Sequence, residues 1–552
     1  MPRYLRFDQL DTNDPNVVAR LARLLGRPPA TDPGDARLNL GLFDGSRLVG
    51  CVLASSGGTV RISELAVDAA YASERAELVA RWCDLAARWC RHRPLEMQGD
   101  EPALQRWRAL DAPLLADLGY RLDAVEPVSS GGSGPARFRS RWEAAAAVNL
   151  DPRALPVDAV YPVGEASYQV RVVRSETHWS RLAPYWDDLL RTTPSATGMQ
   201  SFEYLRAWWT CFGLPYRLWI LTIWRDGALC GIAPLRIEAE RGFVGWLREL
   251  SFVGWSTEVD RPTFLFGGQA DACLSVMLRF LADQGALWDR MTLYEQDADG
   301  PCARTLPAFA TRGYLLRLTP STRCPYVALN QPFERYMAAR SRQFRKRLRA
   351  ACRRLEAKGE LRVRRVSDEA QVREAIGRFR DLEDRSWKRG TEAALGPLHG
   401  QFLDILHTWL GPKGALQVLE LLVAGQPIAS TIAFVHGRNY YSLHIVHDAA
   451  WADDTLGNVL TYFELEECHA KGYAEFDFLG TCVESKLHWT SSVRDTIDIV
   501  LTRSGPRERL VHLWKVHLAP AVRGALEQRG LLERMQSLQR RAWARLWGVP
   551  DL

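Results

Sequence analysis

Leu416-Gln417-Val418-Leu419-Glu420-Leu421-Leu422-Val423 runs directly into Ala424-Gly425-Gln426-Pro427-Ile428-Ala429-Ser430-Thr431. An apolar run of strand length meets a turn carrying glycine, where positive φ costs little, and a second strand follows with small residues. The pattern occurs twice earlier. Leu38-Asn39-Leu40-Gly41-Leu42-Phe43 precedes Asp44-Gly45-Ser46-Arg47-Leu48-Val49, and Leu218-Trp219-Ile220-Leu221-Thr222-Ile223-Trp224-Arg225 precedes Asp226-Gly227-Ala228-Leu229-Cys230-Gly231. The spacing is 182 residues (44 to 226) and then 198 (226 to 424), one small domain each, so three copies of one α/β unit are expected.

The surroundings of the hairpin repeat as well. In the third copy 440–448 reads as a strand, 456–472 as a helix and 474–479 as the next strand; in the first, 60–67 is a strand, with helices over 74–91 and 103–118. The glycine-rich 129–135 reads as a surface loop and 145–165 as a linker. The expected units are 1–145, 160–325 and 326–505, followed by basic amphipathic helices over 506–552.

With 552 residues, 47% of them hydrophobic, the chain has room for several cores, and 25% charged residues exclude a collagen-like or low-complexity chain. The net charge of +6 is small for this length, so any basic binding site must be local. The N-terminus has no signal-like apolar run, no window reaches membrane-span length, and eleven cysteines lie singly with no Cys-x-x-Cys, which together predict a cytoplasmic protein with reduced thiols. Cys83 and Cys90, on one helical face, read as core.

Glu64-Leu65-Ala66-Val67 with the later Leu118-Gly119-Tyr120 resembles the GNAT acyltransferase unit. Residues 165–500 resemble the CelD-type (BioF2-like) acetyltransferases, themselves similar to the tandem-GNAT Fem aminoacyltransferases. The matching pieces are Gln200 to Trp209, the helix beginning Ser341-Arg342-Gln343-Phe344-Arg345-Lys346, Trp387-Lys388-Arg389-Gly390, and Phe476-Asp477-Phe478-Leu479-Gly480 followed by Lys486 and Trp489. The resemblance implies three tandem GNAT-like domains and attack of an amine on a thioester. That chemistry needs N–H donors for the donor's phosphates or pantetheine, carbonyl polarisation and a base, and no metal.

In the third copy Thr455, Leu456, Gly457 and Asn458 stand where a helix starts, so their backbone N–H groups are the candidates for the donor. The first copy has no glycine at the corresponding place and carries Glu74 and Glu77, which repel phosphate; the second begins its helix with Asp271. Copy one is therefore expected to serve structure or acceptor docking. Strand alternation puts Tyr440, Ser442, His444, Val446 and Asp448 on one face. An imidazole suits proton uptake near neutrality, so His444 is the candidate base with Asp448 as substitute, and Tyr440 the candidate acid for the thiolate. A core histidine is the structural alternative.

Asp260 occupies a place like that of a carboxylate found after the equivalent strand in the resembled family, suited to an acceptor amine reached across a domain interface. Asp477, Lys486 and Trp489 follow from the family motif as substrate-binding residues, with Lys486 the expected partner of Asp477. From Arg340 to Lys358 there are nine Lys or Arg against one Glu, while Phe344, Leu348, Ala351, Cys352 and Leu355 recur at helical spacing. Arg345, Lys346 and Arg349 on the cationic face suit coenzyme phosphates, an acidic acyl carrier protein, tRNA or an anionic surface. The stretch 510–547, with Trp514, Trp543 and Trp547 among arginines, suits packing on the preceding domain, a dimer contact or an in-plane membrane helix. The expected function is N-acyl transfer from acyl-CoA or a phosphopantetheine-bound acyl group to an amine of a peptide, amino acid or amino sugar. The alternatives are an aminoacyl-tRNA-dependent Fem-like transferase and a noncatalytic GNAT-fold binding protein.

Overall fold

The computed structural model describes residues 5–10, 12–26, 29, 38–44, 46–56, 60–90, 95–100, 115, 120–128 and 137–144, and residues 151–505 apart from 243–244, 256–257, 311–312, 387, 390, 392–393 and 481. The expected helices of 506–552 and, apart from Leu115, of 103–118, the 129–135 loop, and Trp387 and Gly390 lie outside the described residues.

All three hairpins form, between Leu40–Asp44 and Arg47–Ser56, Arg217–Arg225 and Ala228–Gly242, and Leu416–Val423 and Gln426–His436. Each carries a register shift at the same distance before its turn, at Leu42/Phe43, Ile223/Trp224 and Leu421/Leu422. In the second and third the turn residues have positive φ, 51° and 76° at Asp226 and Gly227, 49° and 79° at Ala424 and Gly425, the backbone twist that a two-residue hairpin demands. Each hairpin is followed by a strand, a helical crossover and a parallel strand. The parallel partners are Val60–Val67 with Leu95–Asp100, Gly245–Phe252 with Arg290–Asp297, and Asn439–His447 with Glu475–Asp477. The fold is thus α/β with one motif built three times.

The first copy has its own seven-stranded sheet. The second and third share one fourteen-stranded sheet, because the strand Val493–Arg503, late in the chain, inserts between Arg290–Asp297 and Tyr314–Ala328. Tyr314–Ala328 also pairs through Tyr326, Val327 and Ala328 with Glu475–Asp477, so the expected boundary at 325/326 falls inside a continuous strand. One hydrophobic core likewise takes Trp186, Tyr204 and Trp208 from the second copy and Phe379, Phe402, Phe434 and Tyr441 from the third. Gly198 sits where the copies touch: its N–H donates to the Tyr441 hydroxyl (3.0 Å), and a Cβ there would lie 2.3 Å from that of His436.

The Glu74 and Glu77 carboxylates of the first copy pair with Arg217 of the second. Arg81 donates to the Gly213 carbonyl at 2.6 Å and stacks over Trp209, so the helix Arg75–Cys90 is an interface. Among the described residues, no helix is long and apolar enough to cross a membrane.

The second and third copies are also tied by Arg261 and Asp477, whose side chains are 9% and 0% exposed and in direct ion contact. Breaking a buried pair from one side leaves an uncompensated charge. Asp477→Ala is expected to destabilise the protein by about 3 to 5 kcal/mol, read as a lower unfolding midpoint in urea; an unchanged midpoint would show that Arg494, 3.6 Å from Asp477, and the other neighbours of Arg261 do not depend on this carboxylate.

Candidate functional site

The parallel strands Asn439–His447 and Glu475–Asp477 pair only as far as Tyr441 and Asp477 and then separate. The separation is made locally. On one side the register slips at Ile432/Ala433, leaving Leu443 unpaired in a bulge. On the other, Leu479 (φ 52°) and Gly480 (φ 53°) both take left-handed backbone, with the Leu479 N–H held by Asp477 Oδ1 at 2.9 Å. The helix Leu456–Ala470 starts beside the gap, and its first turn closes through Asn458 N–H to Thr455 O at 3.0 Å. The N–H groups of Leu456 and Gly457 precede that bond, at the positive end of the helix dipole.

A cavity of about 570 Å³ occupies this gap, bordered by Thr455, Leu456, Gly457, Asn458, Ser442, His444, Leu479, Lys486 and Trp489 of the third copy and by Glu258 and Asp260 of the second. Trp489 Nε1 donates to Asn458 Oδ1 at 3.1 Å, and the indole is fixed edge-on to Phe344 at 4.8 Å. A Cβ on Gly457 would meet nothing nearer than Ile445 Cδ1 at 4.0 Å, so a side chain there would project into the cavity rather than into protein.

Sequence reasoning thus brings Asp260, His444, Thr455, Leu456, Gly457, Asn458, Lys486 and Trp489 to one cavity. Six other expected residues stand elsewhere, three of them on the cationic helix. Tyr440 is buried beneath the helix Leu456–Ala470, its hydroxyl donating to Glu464 Oε1 at 3.0 Å. The bulge is the reason: it ends the expected alternation, so Tyr440 belongs to one core cluster while Val446 joins Tyr441 in the other. Asp448 caps the turn Ala449–Asp454 through Ala450 N–H (2.9 Å) and pairs with Arg385 (3.1 Å). Asp477 pairs with Arg261 rather than with Lys486, whose Nζ donates to the Leu479 carbonyl at 2.5 Å.

The cationic helix forms as Arg342–Lys358 with Phe344, Leu348, Ala351 and Leu355 buried. Lys346 and Arg349 are exposed and Arg345 half-buried, its Nε on the Arg340 carbonyl. These three arise from the helix behind Trp489 and do not border the cavity.

Two cavity groups escaped the sequence reading. Glu258 has a side chain 6% exposed, and its Oε2 lies 3.0 Å from His444 Nε2. Lys388 borders the cavity as well, and burial lowers its ammonium's pKa against the upward pull of Glu383 and Glu258. Lys388 sits inside the stretch 387–390 already singled out and Glu258 two residues before Asp260, but nothing in the residue pattern said which side chain turns inward.

Electrostatics separate the two carboxyls from the second copy. Burial and Glu295 push Asp260 up to about 6 against the Gly480 N–H (2.5 Å) and Arg261. Burial also pulls Glu258 upward, but His444, His399 and Lys388 outweigh it and hold that carboxyl below the usual range. One acid is poised near neutrality and its neighbour is kept ionised.

Residues 342–485 match the family described as an acetyltransferase (GNAT) domain. The match spans 144 of the 552 residues. The matched segment contains the strand separation, the helix start and the loop up to Ser485, so the cavity lies in the matched part apart from Met199, Glu258, Asp260, Lys486 and Trp489. No curated protein sequence matches the chain. Among solved structures it is similar to FemX (12% identity, 60% of this chain and 98% of that one, TM-score 0.45). It is similar also to a tandem GNAT protein from the clavulanic acid biosynthesis pathway (11%, 61% and 99%, 0.36) and to a GCN5-related N-acetyltransferase from Sphaerobacter thermophilus (12%, 61% and 96%, 0.29).

A carboxyl whose folded pKa is raised above its unfolded value makes the protein lose stability as pH rises between the two. For Asp260 the window runs from the ordinary value near 3.8 to about 6. Asp260→Asn keeps an oxygen for the Gly480 N–H and has no charge to desolvate. Its unfolding free energy relative to wild type, read from urea titrations, is expected to rise from pH 4 to pH 7 by on the order of 2 kcal/mol. A difference that stays flat across that range would place Asp260 in a better solvated setting.

Proposed function

We propose that the chain is a cytoplasmic N-acyltransferase of the CelD type that moves an acyl group from acyl-CoA or an acyl carrier protein to an amine of a peptide, amino acid or amino sugar. The observation that carries this reading is one cavity in which a helix start and an imidazole of the third copy meet two carboxyls of the second. The Leu456 and Gly457 N–H groups and the Asn458–Trp489 pair receive the pantetheine and phosphate end of the donor. His444 takes a proton from the acceptor ammonium. The freed amine forms the C–N bond as the C–S bond breaks; the imidazolium gives its proton to the departing sulfur, making the thiol, and the imidazole then takes the nitrogen's second proton and passes it to solvent. Asp260, near neutral, and Lys486 hold the acceptor's polar groups from the side of the second copy.

Calorimetry with coenzyme A and acetyl-CoA tests the donor site. Gly457→Asp introduces a side chain and a negative charge into the cavity and is expected to raise the dissociation constant at least about tenfold, or 1.4 kcal/mol. An unchanged constant in a folded variant moves the donor to another copy.

The cationic helix supports a macromolecular donor. Lys346→Glu with Arg349→Glu is expected to slow transfer from an acyl carrier protein strongly and from a small acyl-CoA only slightly, and salt should reproduce the loss because exposed charges are screened within about 8 Å. Use of aminoacyl-tRNA in the same assay would establish the Fem-like alternative. Equal loss with both donors would assign these cations to the coenzyme.

A further inference from the structure

Glu258 belongs to the second copy, yet its carboxylate reaches into the third. Its backbone is left-handed, φ 66°, a conformation that costs a non-glycine residue free energy and persists only where surroundings enforce it. Enforcement is visible: the Tyr204 hydroxyl, on the helix Phe202–Phe212, donates to the Glu258 carbonyl at 2.8 Å. The side chain thereby points between two imidazoles, Oε2 at 3.0 Å from His444 Nε2 and Oε1 at 3.8 Å from His399 Nε2 on the helix Pro397–Leu410. The His444 contact is a close charge approach without the alignment of a hydrogen bond, and Nε2 has no other hydrogen-bond partner among the described residues. The remaining charged groups facing this carboxyl are Lys388, from the loop before that helix, and Asp260, two residues along the same loop.

We infer that Glu258 is a positioning residue for acyl transfer: across the boundary between copies it holds His444 with Nε2 toward the carboxylate, frees Nδ1 to accept the ammonium proton, and stabilises the imidazolium that results. The inference rests on the acyltransfer reading above. It makes the base functional only when the two copies are docked, since its counter-ion comes from the other one. The first proton moves from the acceptor nitrogen to Nδ1 and on to the departing sulfur, and the second leaves by the same imidazole to solvent; Glu258 neither gains nor loses one.

Two measurements on Glu258→Gln, Glu258→Asp and His444→Gln test it. The first is the thermal midpoint of E258Q, H444Q and the double variant at pH 6: the double variant is expected to lose less than the sum of the singles, and strict additivity overturns the contact. The second is the rate of transfer. E258Q is expected to lower kcat about tenfold or more, though by less than the roughly 100- to 10,000-fold that loss of the general base itself costs, and KM for the donor should stay within about twofold. Because Glu258 acts through His444, removing it from H444Q should lower the remaining kcat by no more than about twofold. A packing defect would lower the rate by the same factor in either background, and that outcome overturns the assignment. E258D, with its charge drawn back, should give a smaller loss of kcat and decides the matter if E258Q does not fold; an unchanged rate in E258D then overturns it. A wild-type protein that acylates no amine ends the acyltransfer reading and the role with it, while non-additive midpoints would still establish the Glu258–His444 contact.

Discussion

The ion pair of Arg261 with Asp477 fixes the geometry on which the cavity depends. Asp477 is fully buried at the last paired position of its strand, so its charge has to be met by a cation brought from elsewhere, and Arg261 comes from the loop of the second copy. Each residue also sets the backbone beside it. Asp477 Oδ1 receives the Leu479 N–H, and the Arg261 N–H donates to Glu295 Oε2 at 2.8 Å. One pair thus holds the two walls of the cavity, and because Asp260 and Glu258 lie immediately before Arg261, it also delivers them. Buried pairs seldom improve stability over apolar packing, so specificity of docking is the better account of this one.

Backbone strain follows the same line. Among the described residues seven non-glycine residues have positive φ. Asp226 and Ala424 make hairpin turns; Glu258, Arg261, Glu295, Thr455 and Leu479 surround the junction of the second and third copies. Strain concentrated where two units meet, and sparse in the sheet itself, is strain held by the docking of one unit on the other.

The repeat was legible because hairpin chemistry is local: a turn glycine between two apolar runs predicts its own geometry, and all three hairpins stand where read. The basic helix was legible for the same reason, its buried stripe at Phe344, Leu348, Ala351 and Leu355 following from periodicity alone. What failed was everything set at a distance. The bulge at Leu443 reversed the faces of the strand and moved Tyr440 away from His444, although no glycine or proline marks the place. Lys486, nine residues from Asp477, looked like its partner; Arg261, 216 residues away, is the partner. The exchange of Val493–Arg503 into the sheet of the second copy left no mark in the apolar pattern, since that strand is apolar enough for either neighbour.

In the proposed acyl transfer, with Tyr440 away from the cavity, the acid that returns a proton to sulfur has to be sought among groups that border it. Tyr440 and Ser442 both donate to Glu464, a carboxyl pushed up to about 7 by burial against the hydrogen bonds of Tyr440, Thr431 and Ser442, and this network lies under the cavity floor. Ser442 is the member that reaches the cavity, but its proton is directed at Glu464 rather than outward. Lys486 spends one donor on the Leu479 carbonyl, and burial lowers its pKa against the pull of Asp260 and Asp477. The imidazolium of His444 is then the simplest donor, because the group that removed the first proton already carries it beside Glu258. A single residue serving as base and then acid places a stricter demand on the carboxylate that holds it than two separate residues would, and it accounts for a buried glutamate kept ionised at this position.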